Sequence, residues 1–206
     1  MISSAEQKIY SALQPFVPEK TLPLFVQWIS DYKIKVLVKP NRKTVMGDYR
    51  SPDFARGHVI SVNGTLNQFD FALTFVHEVA HLVVWLEHRG RVDAHGAEWK
   101  NSFRQLMQPL LQQEIFPADI SEALQRYLIN PASSSCYDLL LTKTLARYNK
   151  KQTLHLEDIA EGKEFIAHDG KKYVKGKRLR KRYACVNVMS RQVYLFSPVA
   201  PVKVEE

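Results

Sequence analysis

A chain of 206 residues, 45% apolar and 11% aromatic, can bury one medium core or one core plus a small appendage, which excludes global disorder. Two cysteines, Cys136 and Cys185, exclude a disulfide framework and a four-cysteine zinc site. The net charge of +8 is uneven: residues 151–206 carry 12 Lys/Arg against 7 Asp/Glu, and residues 1–150 carry 17 against 14.

In chain order, Ser4 to Leu13 has helical spacing of apolar residues. Thr21 to Ser30 reads as a second helix with Pro23 in its first turn, where a missing N–H costs nothing. Tyr32 to Lys39 alternates polar and apolar residues, the period of a half-buried strand. Lys43 to Arg50 and His58 to Asn63 continue as strands, with Pro52 and Gly57 in the loop between them. A long apolar helix is expected over Phe71 to Glu87, started by Asn67 with Asp70 three residues on and stopped at Gly90. Another should begin near Gly96 and end before Pro109, and Ser121 to Leu128 and Tyr137 to Tyr148 read as two more.

Past residue 150 the pattern becomes short strands: Glu164 to His168, Lys172 to Lys175, Arg182 to Val188 and Gln192 to Phe196. Gly162, Asp169-Gly170, Gly176 and Ser190 supply turns. The expected organisation is a domain over 1–150 and a basic β module over 151–206. The first residues lack a signal-peptide layout, and no apolar run approaches the ~20 residues of a membrane span. A cytosolic protein is expected.

The chemistry lies in His77-Glu78-Val79-Ala80-His81, an HExxH pattern. One helical turn takes ~3.6 residues, so both imidazoles share a face and can meet one zinc ion, with Glu78 beside the water that zinc would acidify. The surroundings are Phe75, Val76, Val79, Ala80, Leu82 and Val83, where charged or polar groups need a partner. The plain alternative is a pair of core histidines bonded to the backbone.

A catalytic zinc takes a third protein ligand. His88 shares the helix face, but seven residues place it ~10 Å further along the axis, out of reach. His95 lies beyond Gly90, where the chain can fold back; Asp93 and Glu98 are rival ligands, and Glu98 could instead orient a histidine or cap the next helix. Residues 82–87 hold no glycine or histidine, which excludes an HExxHxxGxxH arrangement.

The stretch from His77 to Trp85, followed by Gly90 to Lys100 with its His95-Gly96-Ala97-Glu98-Trp99, closely resembles the SprT-like family, which includes Spartan-type proteases acting on proteins crosslinked to DNA. Gly47-Asp48-Tyr49-Arg50 and His58 to Asn63 resemble the family's strands before the motif helix. The resemblance implies an α+β, zincin-like metallopeptidase domain with His77, His81 and His95 on Zn2+ and Glu78 as general base. Its substrate would be protein, including protein bound or crosslinked to DNA. Many relatives carry a C-terminal zinc ribbon with two cysteine pairs; Cys185 stands alone here, so no ribbon can form.

Lys171, Lys172, Lys175, Lys177, Arg178, Arg180, Lys181 and Arg182 put eight cations into twelve positions without an acid, with Tyr173 and Tyr183 between them. Such a run suits nucleic acid: phosphate contacts that are sequence-blind and salt-sensitive, and tyrosines that stack on bases. A hairpin with solvated lysines is the plain reading. Trp28, Trp85 and Trp99 are expected in the core, Cys136 and Cys185 as buried thiols, and His58 to Asn63 as the edge strand that would align a substrate. The rival function is a non-enzymatic nucleic-acid-binding protein with a closed structural zinc site whose fourth ligand is Asp93 or Glu98.

Overall fold

The computed structural model describes residues 3–40, 45–53, 57–132, 138–151 and 154–204. The fold is α+β, and it divides into two compact units, Met1–Ser133 and Ser134–Glu206. The division falls earlier than the compositional change near residue 150, so the last helix groups with the C-terminal strands.

The first unit opens with α1 (Ser4–Leu13), started by a reciprocal cap in which Ser3 Oγ accepts from the Glu6 N–H and Glu6 accepts from the Ser3 N–H. In α2 (Leu22–Asp31) Pro23 sits in the first turn as expected. Residues 32–34, read from sequence as strand, instead end this helix: Lys33 is left-handed (φ 51°), and the Ile34 N–H returns to the Ile29 carbonyl. Three strands follow: β1 (Lys35–Lys39), β2 (Gly47–Arg50) and β3 (Val59–Asn63). The start of the expected 43–50 strand lies outside the described residues.

Their order is β1-β3-β2, with β1 parallel and β2 antiparallel to β3. All five residues of β3 are buried and β3 lies in the middle of the sheet, so the stretch expected to be an edge is not one; β1 and β2 are the edges. Alternation in a sequence reports faces, and β3, covered on both, has neighbours on both sides as well.

Helix α3 (Gln68–His88) packs against β2 and β3. Asn67 caps it, its side-chain oxygen accepting from the N–H groups of Phe69 and Asp70. Left-handed Arg89 and Gly90 end it. At 21 residues α3 is, by length and composition, long and apolar enough to cross a bilayer, contrary to the sequence expectation, but 72% of its most apolar window is buried inside the protein. Helix α4 (Ala97–Gln112) runs through Pro109 instead of stopping before it. A proline there forfeits one helical hydrogen bond, and complete burial of Met107 and Leu110 on either side offsets the loss. Helix α5 (Ala118–Ile129) completes the unit. Its core is built on Phe25, Phe71, Phe75, Ile60, Leu82, Trp99 and Phe103, all with 1% exposure or less.

The second unit begins with α6 (Leu139–Ala146), capped by Asp138 and tied by Lys143 to Glu157 and Asp158. Its sheet, in the order β4-β5-β6-β7, is antiparallel: β4 (Glu164–Ile166), β5 (Lys172–Leu179), β6 (Arg182–Asn187) and β7 (Val193–Phe196). Leu156, Phe165, Tyr173, Cys185 and Val202 form its core. Gly176, expected in a turn, lies inside β5 where the register shifts; a Cβ there would stand 2.2 Å from the Ala184 carbonyl oxygen, so only glycine fits the bulge. Cys136 lies outside the described residues.

Candidate metal centre

His77 and His81 stand one turn apart in the middle of α3, and His95 comes from the loop that leads into α4. The Nε2 atoms of His81 and His95 each lie 3.2 Å from Nε2 of His77. Tetrahedral coordination with Zn–N bonds of ~2.0–2.1 Å spaces its donor atoms about 3.3–3.4 Å apart. Two of the three separations therefore lie close to what one ion requires, and all of the cluster's ligand atoms fall within 4.8 Å of one another. A single hydrogen bond between two imidazoles explains one such approach, since one ring donates and the other accepts. It leaves the convergence of three unexplained.

Burial, and then the neighbouring His81 and His95 charges, lower the His77 pKa to about 3. Burial followed by His95 lowers His81 to about 4, and burial lowers His95 as well. Neutral imidazoles present lone pairs at neutral pH, the form that binds metal. Both rival carboxylates, Asp93 and Glu98, fall outside the group of converging ligand atoms among the described residues.

Trp99, in the first turns of α4, holds the cluster from behind. Its ring lies 4.6 Å from that of His77, 5.6 Å from His81 and 4.8 Å from His95, and Phe103 stacks on it at 5.0 Å. Trp99 is fully buried and Trp28 nearly so, as expected, whereas Trp85 is half-buried with the Arg89 guanidinium over its ring at 4.4 Å. Trp85 sits one turn beyond His81 and meets the edge of the His58 ring at 5.2 Å. The Tyr49 hydroxyl in turn lies 2.9 Å from His58 Nδ1. Burial raises the Tyr49 pKa, while burial and then Arg89 lower that of His58, so both are neutral at pH 7. Sequence reading missed this cluster, because its four members come from three separate elements.

Glu78 is 6% exposed, on the side of α3 that meets β2. His88 ends the helix beside Glu87 and stays out of the cluster.

The basic run divides. Lys175 is buried at 5% exposure: its ammonium donates to the carbonyls of Glu157 and Ile159 and lies 4.2 Å from the Tyr183 ring centre. Tyr173 is buried in the core and donates its hydroxyl to Asp169, so it offers no face to a base. Alternation along β5 turns residues 173 and 175 inward, a consequence hidden by the density of charge around them. Lys171, Lys172, Lys177, Arg178, Arg180, Lys181 and Arg182 are exposed, the last five around the β5–β6 hairpin tip with Leu179.

Residues 23–121 match the family model described as SprT-like family. Neither the curated proteins nor the solved structures contain a match to the chain. The matched segment carries the HExxH helix, the loop bearing His95 and the supporting Trp99. With its three histidines near enough to bind one metal ion, the segment 23–121 is similar to the SprT-like family over its matched length and has a metallopeptidase-like, metal-binding character.

Proposed function

We propose that the protein is a zinc-dependent, zincin-like metalloendopeptidase that hydrolyses peptide bonds in protein substrates. The observation that carries this reading is the convergence of three Nε2 atoms on a helix whose HExxH sequence sets Glu78 next to the first ligand. The donor set fits zinc: three partly buried, neutral imidazoles, with no carboxylate among the converging atoms of the described residues. Three protein ligands leave a fourth position for water or substrate, whereas a closed structural site fills all four. That difference favours the enzyme over a non-enzymatic zinc protein.

In this reading His77, His81 and His95 hold the ion, and Trp99 fixes the imidazole rings. Zinc bound there supplies a Lewis acid that polarises a carbonyl and lowers the pKa of water. Glu78, next in sequence to the first ligand, takes a proton from the attacking water and returns it to the departing amine. The edge strand β2 lies against α3, where an extended substrate could pair with its open side.

The exposed cations at the β5–β6 tip, Lys177, Arg178, Arg180, Lys181 and Arg182, support nucleic acid as a partner and proteins bound or crosslinked to DNA as the substrate class. Incubation of zinc-loaded wild type and Glu78→Gln with a protein substrate, with and without DNA, tests the reading. Wild-type cleavage that Glu78→Gln loses supports it, and equal cleavage by both removes it.

A further inference from the structure

Gly47 opens β2, and its missing side chain leaves the space in which Glu78 stands. A Cβ built on Gly47 would lie 2.8 Å from Glu78 Oε1, 3.0 Å from Glu78 Cγ and 2.7 Å from Thr74 Cγ2. Atoms this close must move, and little around them can. Thr74 and Glu78 are 7% and 6% exposed and lie one turn apart on the face of α3 that meets β2. Gly47 is paired with Val62 of the buried β3, and the adjacent Met46 carbonyl accepts from the Asn63 N–H at 2.7 Å.

Conformational freedom does not explain this glycine. The left-handed glycines are Gly90, Gly162 and Gly170, so Gly47 holds a backbone that any residue adopts. In a strand, glycine is entropically unfavourable relative to alanine and marks a close approach of other atoms. Here the approaching atoms belong to Thr74 and to Glu78, the carboxylate next in sequence to the first histidine.

We infer that Gly47 is a positioning residue: the bare backbone of β2 is one wall of a slot that sets where the Glu78 carboxylate stands relative to the three imidazoles. This rests on the reading of Glu78 as general base. A methyl at position 47 would displace the carboxylate while leaving the histidines in place, because they lie on other residues of α3 and in a separate loop. A misplacement near 1 Å costs on the order of 100-fold in rate.

Two measurements decide it. The first compares wild type and Gly47→Ala for bound zinc and for turnover of fluorescein-labelled casein. The inference expects equal zinc, a kcat lower by about 100-fold and a KM changed by less than about threefold. Gly47→Ala turning casein over at the wild-type rate would overturn it. The second is a double-mutant cycle in urea unfolding of the metal-free protein, pairing Gly47→Ala with Glu78→Ala. The inference expects the alanine at 47 to be better tolerated once the Glu78 side chain is gone; additivity overturns it.

Thr74→Ser separates the two contacts by removing the Thr74 methyl. Gly47→Ala/Thr74→Ser is expected to recover stability and to remain slow; recovery of kcat would show that Thr74, not Glu78, feels the substitution. If Gly47→Ala does not fold, folding of Gly47→Ala/Glu78→Ala supports the slot, and folding of the Thr74→Ser pair alone overturns it. If wild type leaves casein intact, the peptidase reading loses its support while the unfolding cycle still decides the slot.

Discussion

Trp99 donates its indole N–H to the backbone carbonyl of His77 across 3.4 Å, tying the start of α4 to the middle of α3. The same ring touches all three histidines, so one fully buried side chain orients the entire donor set. Such outer partners of metal ligands matter nearly as much as the ligands themselves.

Trp99→Phe keeps an aromatic plane behind the imidazoles and loses the N–H. Zinc affinity is expected to fall about tenfold. Trp99→Ala opens a cavity in the core and is expected to cost about 3–5 kcal/mol of stability. Competition against a chelator measures the first effect, and urea unfolding of the metal-free protein the second.

Asp70 follows Asn67 in the first turn of α3, and its Oδ1 is shut off from solvent without a hydrogen-bond partner. Burial raises its pKa from 3.8 to about 6. A raised carboxyl pKa favours the protonated folded state. The contribution to stability is therefore greatest below pH 4, declines as pH rises through the folded pKa near 6, and leaves an ionised buried oxygen at pH 7.5. Asp70→Asn removes that charge and is expected to stabilise the protein by about 1–3 kcal/mol at pH 7.5, with the gain shrinking towards zero near pH 4. Urea unfolding of both proteins from pH 4 to 8 measures it.

The eight cations of the basic run are expected to behave as two kinds. Lys175→Ala strands two carbonyl acceptors and removes a buried contact with Tyr183, at a cost of about 2–4 kcal/mol. Arg180→Ala and Lys181→Ala, at the exposed hairpin tip, are expected to change stability by less than about 0.5 kcal/mol. If the tip binds DNA, each exposed substitution lowers the slope of log K against log salt by about one. Salt-titrated binding to single- and double-stranded DNA reads this directly.

These contrasts show what sequence carries. The α3 pattern was legible because two histidines four residues apart, an asparagine cap and a terminal glycine are all local signals. The approach of His95 to His77 was reachable from residue chemistry only as one choice among three, with Asp93 and Glu98 beside it, and the family resemblance selected it. Strand order was not legible: alternation in β1 and β3 reports faces and is silent on which strand pairs with which. Lys175 and Tyr173 were hidden for the same reason, since a run dense in charge masks an inward register. Pro109 within α4 was obscured by a rule that holds until tertiary burial of Met107 and Leu110 outweighs it. Gly47 reads from sequence only as part of a strand; its meaning depends on side chains from α3, more than 20 residues away in sequence.

The most direct test of the three-histidine centre is the zinc content of purified, zinc-saturated and desalted protein, compared with its His77→Ala, His81→Ala and His95→Ala variants. The proposed zinc centre predicts one tightly held zinc per wild-type chain and its loss from each variant, His95→Ala included. Full zinc retention by His95→Ala, or a wild-type chain that holds no metal at all, would contradict it.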